Sequence, residues 1–339
     1  MILLTYGTRP EYIKIKPLIN QMIKENIPFK TICTGQHEDI VTNNADYVLK
    51  MKNLSNNRLD SIVKNCLQIP DEWFIDIQYI LVQGDTTSVV GLALAALHRQ
   101  IKVIHLEAGL RTYDILNPYP EENNRRIVST LAYLHLCPTE NNKNNLLREG
   151  ITNNIYVVGN TGLDNLSILP YELEYNNKIL VTLHRRENHE QMDLWFTEIN
   201  DLAITYPEFE FILPIHPNPM VKKHKHLLTN ITVIEPLQHK DLIKLLFEVK
   251  MVITDSGGIQ EECSYLHKKC LVCRKVTERP ESVGISSFLI NSPNNLKEIF
   301  NHHIKNFYIS NELLCPYGDG NSSKKICDIF KATLTYLDK

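Results

Sequence analysis

The sequence predicts two doubly wound α/β domains in succession, on three observations. Short apolar or β-branched runs alternate with segments of helical period, the pattern of a parallel sheet covered on both faces. The alternation pauses over a polar stretch at 165–177 and then resumes. Charged and glycine-bearing turns follow the apolar runs, where open parallel sheets place their ligands.

Taken along the chain, "MILLTY" is the first strand. The helix "EYIKIKPLINQMIKE" follows, with Ile13, Leu18, Ile19, Met22 and Ile23 as its apolar stripe. "FKTICT" is the next strand. "YILVQ" leads into "SVVGLALAALHRQ", "KVIHL" into "EENNRRIVSTLA", and "LHLCP" into "ENNKNNLLREG", where Gly150 signals a C-cap. "NIYVV" closes the series. The stretch "NLSILPYELEYNN" reads as a linker. The second series is "KILVTL", "EFEFILP", "ITVIE", "KMVIT", "KKCLVC" and, weakly, "SFLI", each but the last followed by a helix. "SSKKICDIFKATLTYL" is a further amphipathic helix. The expected domains are 1–166 and 167–322, with a terminal helix at 323–339.

Composition narrows the function. The 339 residues are 43% hydrophobic and 22% charged, enough for two ordinary cores. A net charge of −3 offers no surface for nucleic acid or anionic membrane. No apolar run approaches the roughly 20 residues of a membrane helix, and Arg9 interrupts the apolar start too early for a signal peptide. The eight cysteines are scattered. Cys270 and Cys273 have a CxxC spacing, but on a strand the two thiols face opposite ways. Reduced, buried thiols in a cytoplasmic protein are the expectation, with no metal.

The strand ends hold the chemistry. "GTRPE" follows the first strand and brings Arg9 and, one turn later, Lys14. Asp85 follows "YILVQ", Glu107 follows "KVIHL", and Glu121 and Glu122 open the helix after Pro120. His184, Arg185 and Arg186 follow "KILVTL", and His216 follows "FILPI". Singly, each has an ordinary reading: an acid at a helix start caps it, and a lone histidine is structural. Their recurrence at successive strand ends points to acid–base chemistry by Asp85, Glu107, Glu121 and His184, and to anion binding by Arg9 and Lys14. Ser256, Gly257 and Gly258 at a helix start offer backbone N–H groups to a diphosphate, with Glu262 one turn on to accept ribose hydroxyls. Arg279 adds a cation after the next strand. The competing reading is a tight turn with an N-cap. There is no G-x-G-x-x-G and no P-loop.

The segments "GTRPE", "TGQH", "GDTTS", "HLEAGLRT", "PYPEENNR", "GNT", "HRREN", "HPNP", "DSGGIQEE", "TERPE" and "PYGDG" run in order from residue 7 to residue 320. In them the chain resembles the non-hydrolysing UDP-N-acetylglucosamine 2-epimerases. The resemblance implies the GT-B-like arrangement, two Rossmann-like domains facing across a cleft, with the terminal helix crossing back onto the first. It implies interconversion of UDP-GlcNAc and UDP-ManNAc for polysaccharide synthesis, by a cytoplasmic homodimer with no cofactor. Carbon 2 of the sugar has no adjacent carbonyl, so its proton is not acidic. The family route is therefore elimination of UDP to a 2-acetamidoglucal and re-addition.

By resemblance Asp85, Glu107, Glu121 and His184 are catalytic. Arg9, Lys14, Arg279, Ser256, Gly257 and Gly258 contact the nucleotide, and Glu262 takes the ribose. Gln36, His37, Arg185 and His216 fit a second, activating UDP-GlcNAc site, although Asp39 stands where a glutamine is common. Leu242 stands where the family has an aromatic residue near uracil. Other readings are a 2-epimerase of a 6-deoxy UDP-N-acetylhexosamine, a UDP-sugar glycosyltransferase, a hydrolysing 2-epimerase, and a UDP-sugar sensor.

Overall fold

The computed structural model describes residues 1–36, 45–310 and 312–333. Two compact units account for the chain, one of Met1–Ser167 with Gly318–Lys339 and the other of Ile168–Tyr317.

The first unit begins with β1 (Ile2–Tyr6) and α1 (Arg9–Lys24), then β2 (Phe29–Cys33), β3 (Tyr47–Val48) and α2 (Arg58–Leu67). It continues through β4 (Tyr79–Gln83), α3 (Thr87–Leu97), β5 (Lys102–Leu106), α4 (Glu121–Leu131), β6 (Ala132–Cys137), α5 (Glu140–Arg148), β7 (Ile155–Val157) and α6 (Asp164–Ser167). All pairings are parallel, in the order β3-β2-β1-β4-β5-β6-β7. Because both faces are covered, β1 and β4 are buried at every position rather than alternating.

Thr8 caps α1 in a reciprocal capping box with Glu11. The buried stripe of α1 is Ile15, Leu18 and Met22; Ile23, expected inside, is exposed, one residue past the face that turns toward the sheet. Gly150 lies just beyond α5 at φ +82°, the left-handed conformation of a C-cap.

The second unit contains β8 (Asn176–Thr182), α7 (Met192–Thr205), β9 (Glu210–Pro214), α8 (Pro219–Lys222), β10 (Thr232–Ile234), α9 (His239–Glu248), β11 (Val249–Thr254), α10 (Gly257–Tyr265), β12 (Lys269–Val272), β13 (Ser287–Leu289) and α11 (Leu296–Lys305). Its sheet is β10-β9-β8-β11-β12-β13, again parallel throughout. One expectation fails here. No α-helix separates β12 from β13, only a 3-10 turn at Pro280–Ser282; the helix follows β13 instead. Loop 273–279 is taken up by charged contacts described below, which leaves no amphipathic face to pack.

The chain leaves the second unit at Gly318, and α12 (Ser322–Thr333) buries Ile326, Cys327 and Phe330 in the core of the first unit beside Leu18 and Met22. The Asp164 carboxylate accepts the Ser322 and Ser323 N–H groups at 3.0 and 2.7 Å, capping that helix. Cys270 and Cys273 are buried free thiols, and burial raises the Cys273 thiol well above its ordinary value. No helix among the described residues is long and apolar enough to cross a membrane.

Candidate active site

In a doubly wound sheet the order reverses once, and the crevice at that point opens beyond the carboxyl ends of two neighbouring strands. In the first unit those strands are β1 and β4; in the second they are β8 and β11.

At the first reversal, Glu11 ties the two loops together. Its buried carboxylate accepts from Gly7 N (2.5 Å), Thr8 N (3.1 Å) and Thr86 Oγ1 (2.7 Å). Burial pushes this carboxyl up to about 7, against those three hydrogen bonds. The T-x-x-E spacing of the capping box could have singled Glu11 out; its link to Thr86 could not be read. Arg9 starts α1 beside it, half-buried.

Asp85 follows β4 and faces α4. Its Oδ2 accepts from Arg125 Nε at 2.9 Å and Nη2 at 2.7 Å, and Asn124 Nδ2 donates to the Asp85 carbonyl at 2.8 Å. Arg125 also reaches Glu122, fully buried, at 3.2 Å. Glu122 in turn accepts the Thr112 and Tyr113 N–H groups at 3.0 and 3.2 Å. Of the acids opening α4, Glu122 is therefore a strut, while Glu121 sits half-buried at the first helical position. A structural role for Glu122 as a helix-start acid was available from sequence; its grip on the 112–113 backbone was not.

Glu107 leaves β5 at φ +68°, a conformation that costs a non-glycine residue about 1–3 kcal/mol and clusters at functional sites. The turn throws its side chain back toward α1 and β4. Its Oε1 pairs with Lys14 Nζ and its Oε2 accepts from Gln83 Nε2 at 2.5 Å, with only 8% of the side chain exposed. Lys14, read from sequence as an anion contact, is thus engaged with a carboxylate of its own unit. His105, on the same strand, contacts the Gly84 carbonyl through Nε2 at 2.8 Å. Burial lowers that ring to about 4, so it supports the Asp85 turn as a neutral group.

At the second reversal, His184 and Asp255 face one another. Asp255 is fully buried, and its Oδ2 accepts from His184 N (2.9 Å), Arg185 N (2.8 Å) and Asn188 Nδ2 (3.1 Å). His184 stacks on His216, with ring centroids 5.1 Å apart and planes 15° apart. Burial lowers the pKa of both rings; at His184 Asp255 opposes it, while Arg185 and His189 add to it. Arg185 and His216, read as part of a second site, lie beside His184. Gln36 is half-buried in the first unit, and His37 lies outside the described residues.

Ser256 is the N-cap of α10, and its side chain does not cap the helix. A helix start whose N-cap side chain leaves the first-turn N–H groups unclaimed is the arrangement that binds phosphate. The two glycines differ. A methyl group on Gly257 would overlap Arg279 Nη1, whereas on Gly258 it would meet nothing nearer than Ser256 Oγ at 4.0 Å. Arg279 lies under the turn, donating from Nε to Glu261 at 2.7 Å and pairing with Glu278. Arg274, fully buried, pairs with Glu278 at 2.8 Å and Glu187 at 2.6 Å. Glu187, Arg274, Glu278, Arg279 and Glu261 therefore alternate in sign beneath the turn. Arg279, expected to meet phosphate, is held in this chain of charges. Glu262 keeps 12% of its side chain exposed and contacts His239 Nε2 at 3.2 Å.

A family profile for UDP-N-acetylglucosamine 2-epimerase matches residues 21–331. A UDP-N-acetylglucosamine 2-epimerase of Neisseria meningitidis serogroup A is 37% identical, over 96% of this chain and 98% of its own. The crystal structure of UDP-GlcNAc 2-epimerase from Neisseria meningitidis bound to UDP-GlcNAc matches with a TM-score of 0.88 at 37% identity, covering 98% of this chain and 100% of that one. Acinetobacter baumannii MurG, 11% identical with a TM-score of 0.62 over 98% of this chain and 99% of its own, shares the fold alone.

Proposed function

This chain belongs to the UDP-N-acetylglucosamine 2-epimerase family, and we propose that it inverts carbon 2 of UDP-GlcNAc to give UDP-ManNAc by eliminating and re-adding UDP. A basic group removes the C2 proton while the C1–O bond to UDP breaks, leaving 2-acetamidoglucal and UDP. A proton then returns to the opposite face of C2 as UDP oxygen rebonds to C1. Atoms and charge balance, and the net change is one stereocentre.

The groups for this are Asp85, Glu107 and Glu121 of the first unit, with His184 of the second. The observation that carries the reading is Glu107: a carboxylate in a strained conformation, enclosed, and fixed by Lys14 and Gln83. Lys14 offsets the charge of Glu107, and Arg125 that of Asp85. The uncapped start of α10 takes the diphosphate through the N–H groups of its first turn, Gly258 gives the phosphate room, and Glu262 accepts the ribose hydroxyls.

NMR of UDP-GlcNAc with the enzyme in D2O tests this. The expected product carries deuterium at C2. Wholly retained protium there would overturn the elimination route. No reaction without an added acceptor would indicate a glycosyltransferase, and release of free ManNAc a hydrolysing enzyme.

A further inference from the structure

Asp255 follows β11 into the Ser256 turn, and its two oxygens do different things. Oδ2 takes three N–H donors from the 184–188 segment. Oδ1 is sealed from solvent and accepts no hydrogen bond, although it lies 3.3 Å from His184 Nδ1. A buried carboxylate oxygen without a donor is costly and uncommon. Only a small turn of the imidazole is needed to supply one, and contacts of this kind tighten when substrate binds.

The ring has little other freedom. His216 stacks on it, and its own backbone is held on one side by Asp255 Oδ2 and on the other by His189 Nε2, 3.1 Å from the His184 carbonyl. The Asp255 N–H in turn bonds the Thr182 carbonyl at 3.1 Å, so the carboxylate rests on β8 itself.

We propose that Asp255 is the positioning residue of His184, holding the ring with Nδ1–H inward so that Nε2 faces out with its lone pair. In a neutral imidazole the bond made by one nitrogen decides the state of the other. Burial favours the neutral ring here, with Arg185, His189 and His216 as the other titratable or charged neighbours. The proposal rests on the reading that His184 acts on substrate.

The test uses the full chain and the Asp255→Asn variant, with His184→Gln as control. Nitrogen NMR of labelled histidine assigns the His184 tautomer, and kcat, KM and the pH profile are measured with UDP-GlcNAc. In the native enzyme the Nδ1–H tautomer is expected. In Asp255→Asn the amide oxygen still accepts the backbone N–H groups, but the amide nitrogen donates to Nδ1 and forces the proton to Nε2. The expected result is a shift to the Nε2–H tautomer and a fall in kcat of at least about tenfold, small beside the losses for removing a general acid or base. KM should stay nearly unchanged. The limb of the profile belonging to His184 should move to lower pH, because the neighbouring anion is gone.

A native Nε2–H tautomer overturns the proposal even if the variant does not fold. So does a variant that loses only melting temperature while keeping native kcat and pH profile. His184→Gln with full turnover would instead sink the reading of His184 itself, which distinguishes the two failures.

Discussion

The two sheet reversals share a topology and differ in chemistry. In the first unit they gather carboxylates, each met by a cation or an amide: Glu107 by Lys14 and Gln83, Asp85 by Arg125. In the second unit one buried carboxylate is met by N–H donors and an imidazole, beside a helix start that its own side chain leaves uncapped. A parallel sheet thus fixes where the strand-end loops gather, and a few loop residues decide which charges meet there. The supports differ as well. Helices α1 and α4 bring charge to the first reversal from the side, while a buried alternation of acids and arginines underlies the second.

The strongest challenge to that contrast is Arg274→Met. It leaves Glu187 and Glu278 without the arginine between them, and losing one partner of a buried ion pair costs about 3–5 kcal/mol. The urea midpoint should drop accordingly; a shift within error would mean the alternation does not prop the turn. Next is Glu107→Gln, which keeps shape and removes the carboxylate charge. Turnover should fall at least about a hundredfold, the lower end for losing a general acid or base. Calorimetric UDP affinity should hold, because Glu107 belongs to the first unit; near-native turnover would remove Glu107 from the chemistry. The finest test separates two neighbouring glycines. Gly258→Ala should leave the melting temperature unchanged and weaken UDP by about 1–3 kcal/mol, the scale of a disturbed charged hydrogen bond. Gly257→Ala should lower the melting temperature, since its methyl group overlaps the Arg279 guanidinium. Unchanged UDP affinity in Gly258→Ala would reduce the turn to an ordinary helix start.

Local periodicity made the strands and most helices legible, because buried parallel strands are short and continuously apolar. Failures arose where tertiary contacts override pattern. Loop 273–279 lacks a helix because Arg274, Glu278 and Arg279 are committed to side-chain pairs. Ile23 looked like part of a stripe that in fact runs through Ile15. At the site, residue types at strand ends pointed to Asp85, Glu107 and His184. Their partners were hidden, since Arg125 lies 40 residues from Asp85 and Asp255 lies 71 from the His184 N–H that it accepts. Nothing in the string marks the positive φ of Glu107 either, because glycine is the usual signal and here it is absent.

The path of α12 has a consequence for synthesis. The first unit needs Ile326, Cys327 and Phe330 to close its core, and the ribosome adds those residues only after the whole of Ile168–Tyr317. The second unit is continuous in sequence and can finish folding while the first still lacks a wall. Domain-by-domain folding during translation usually runs from the N-terminus; in this chain completion runs the other way. Until α12 arrives, the nascent first unit exposes the apolar face around Leu18 and Met22, the surface a chaperone would bind.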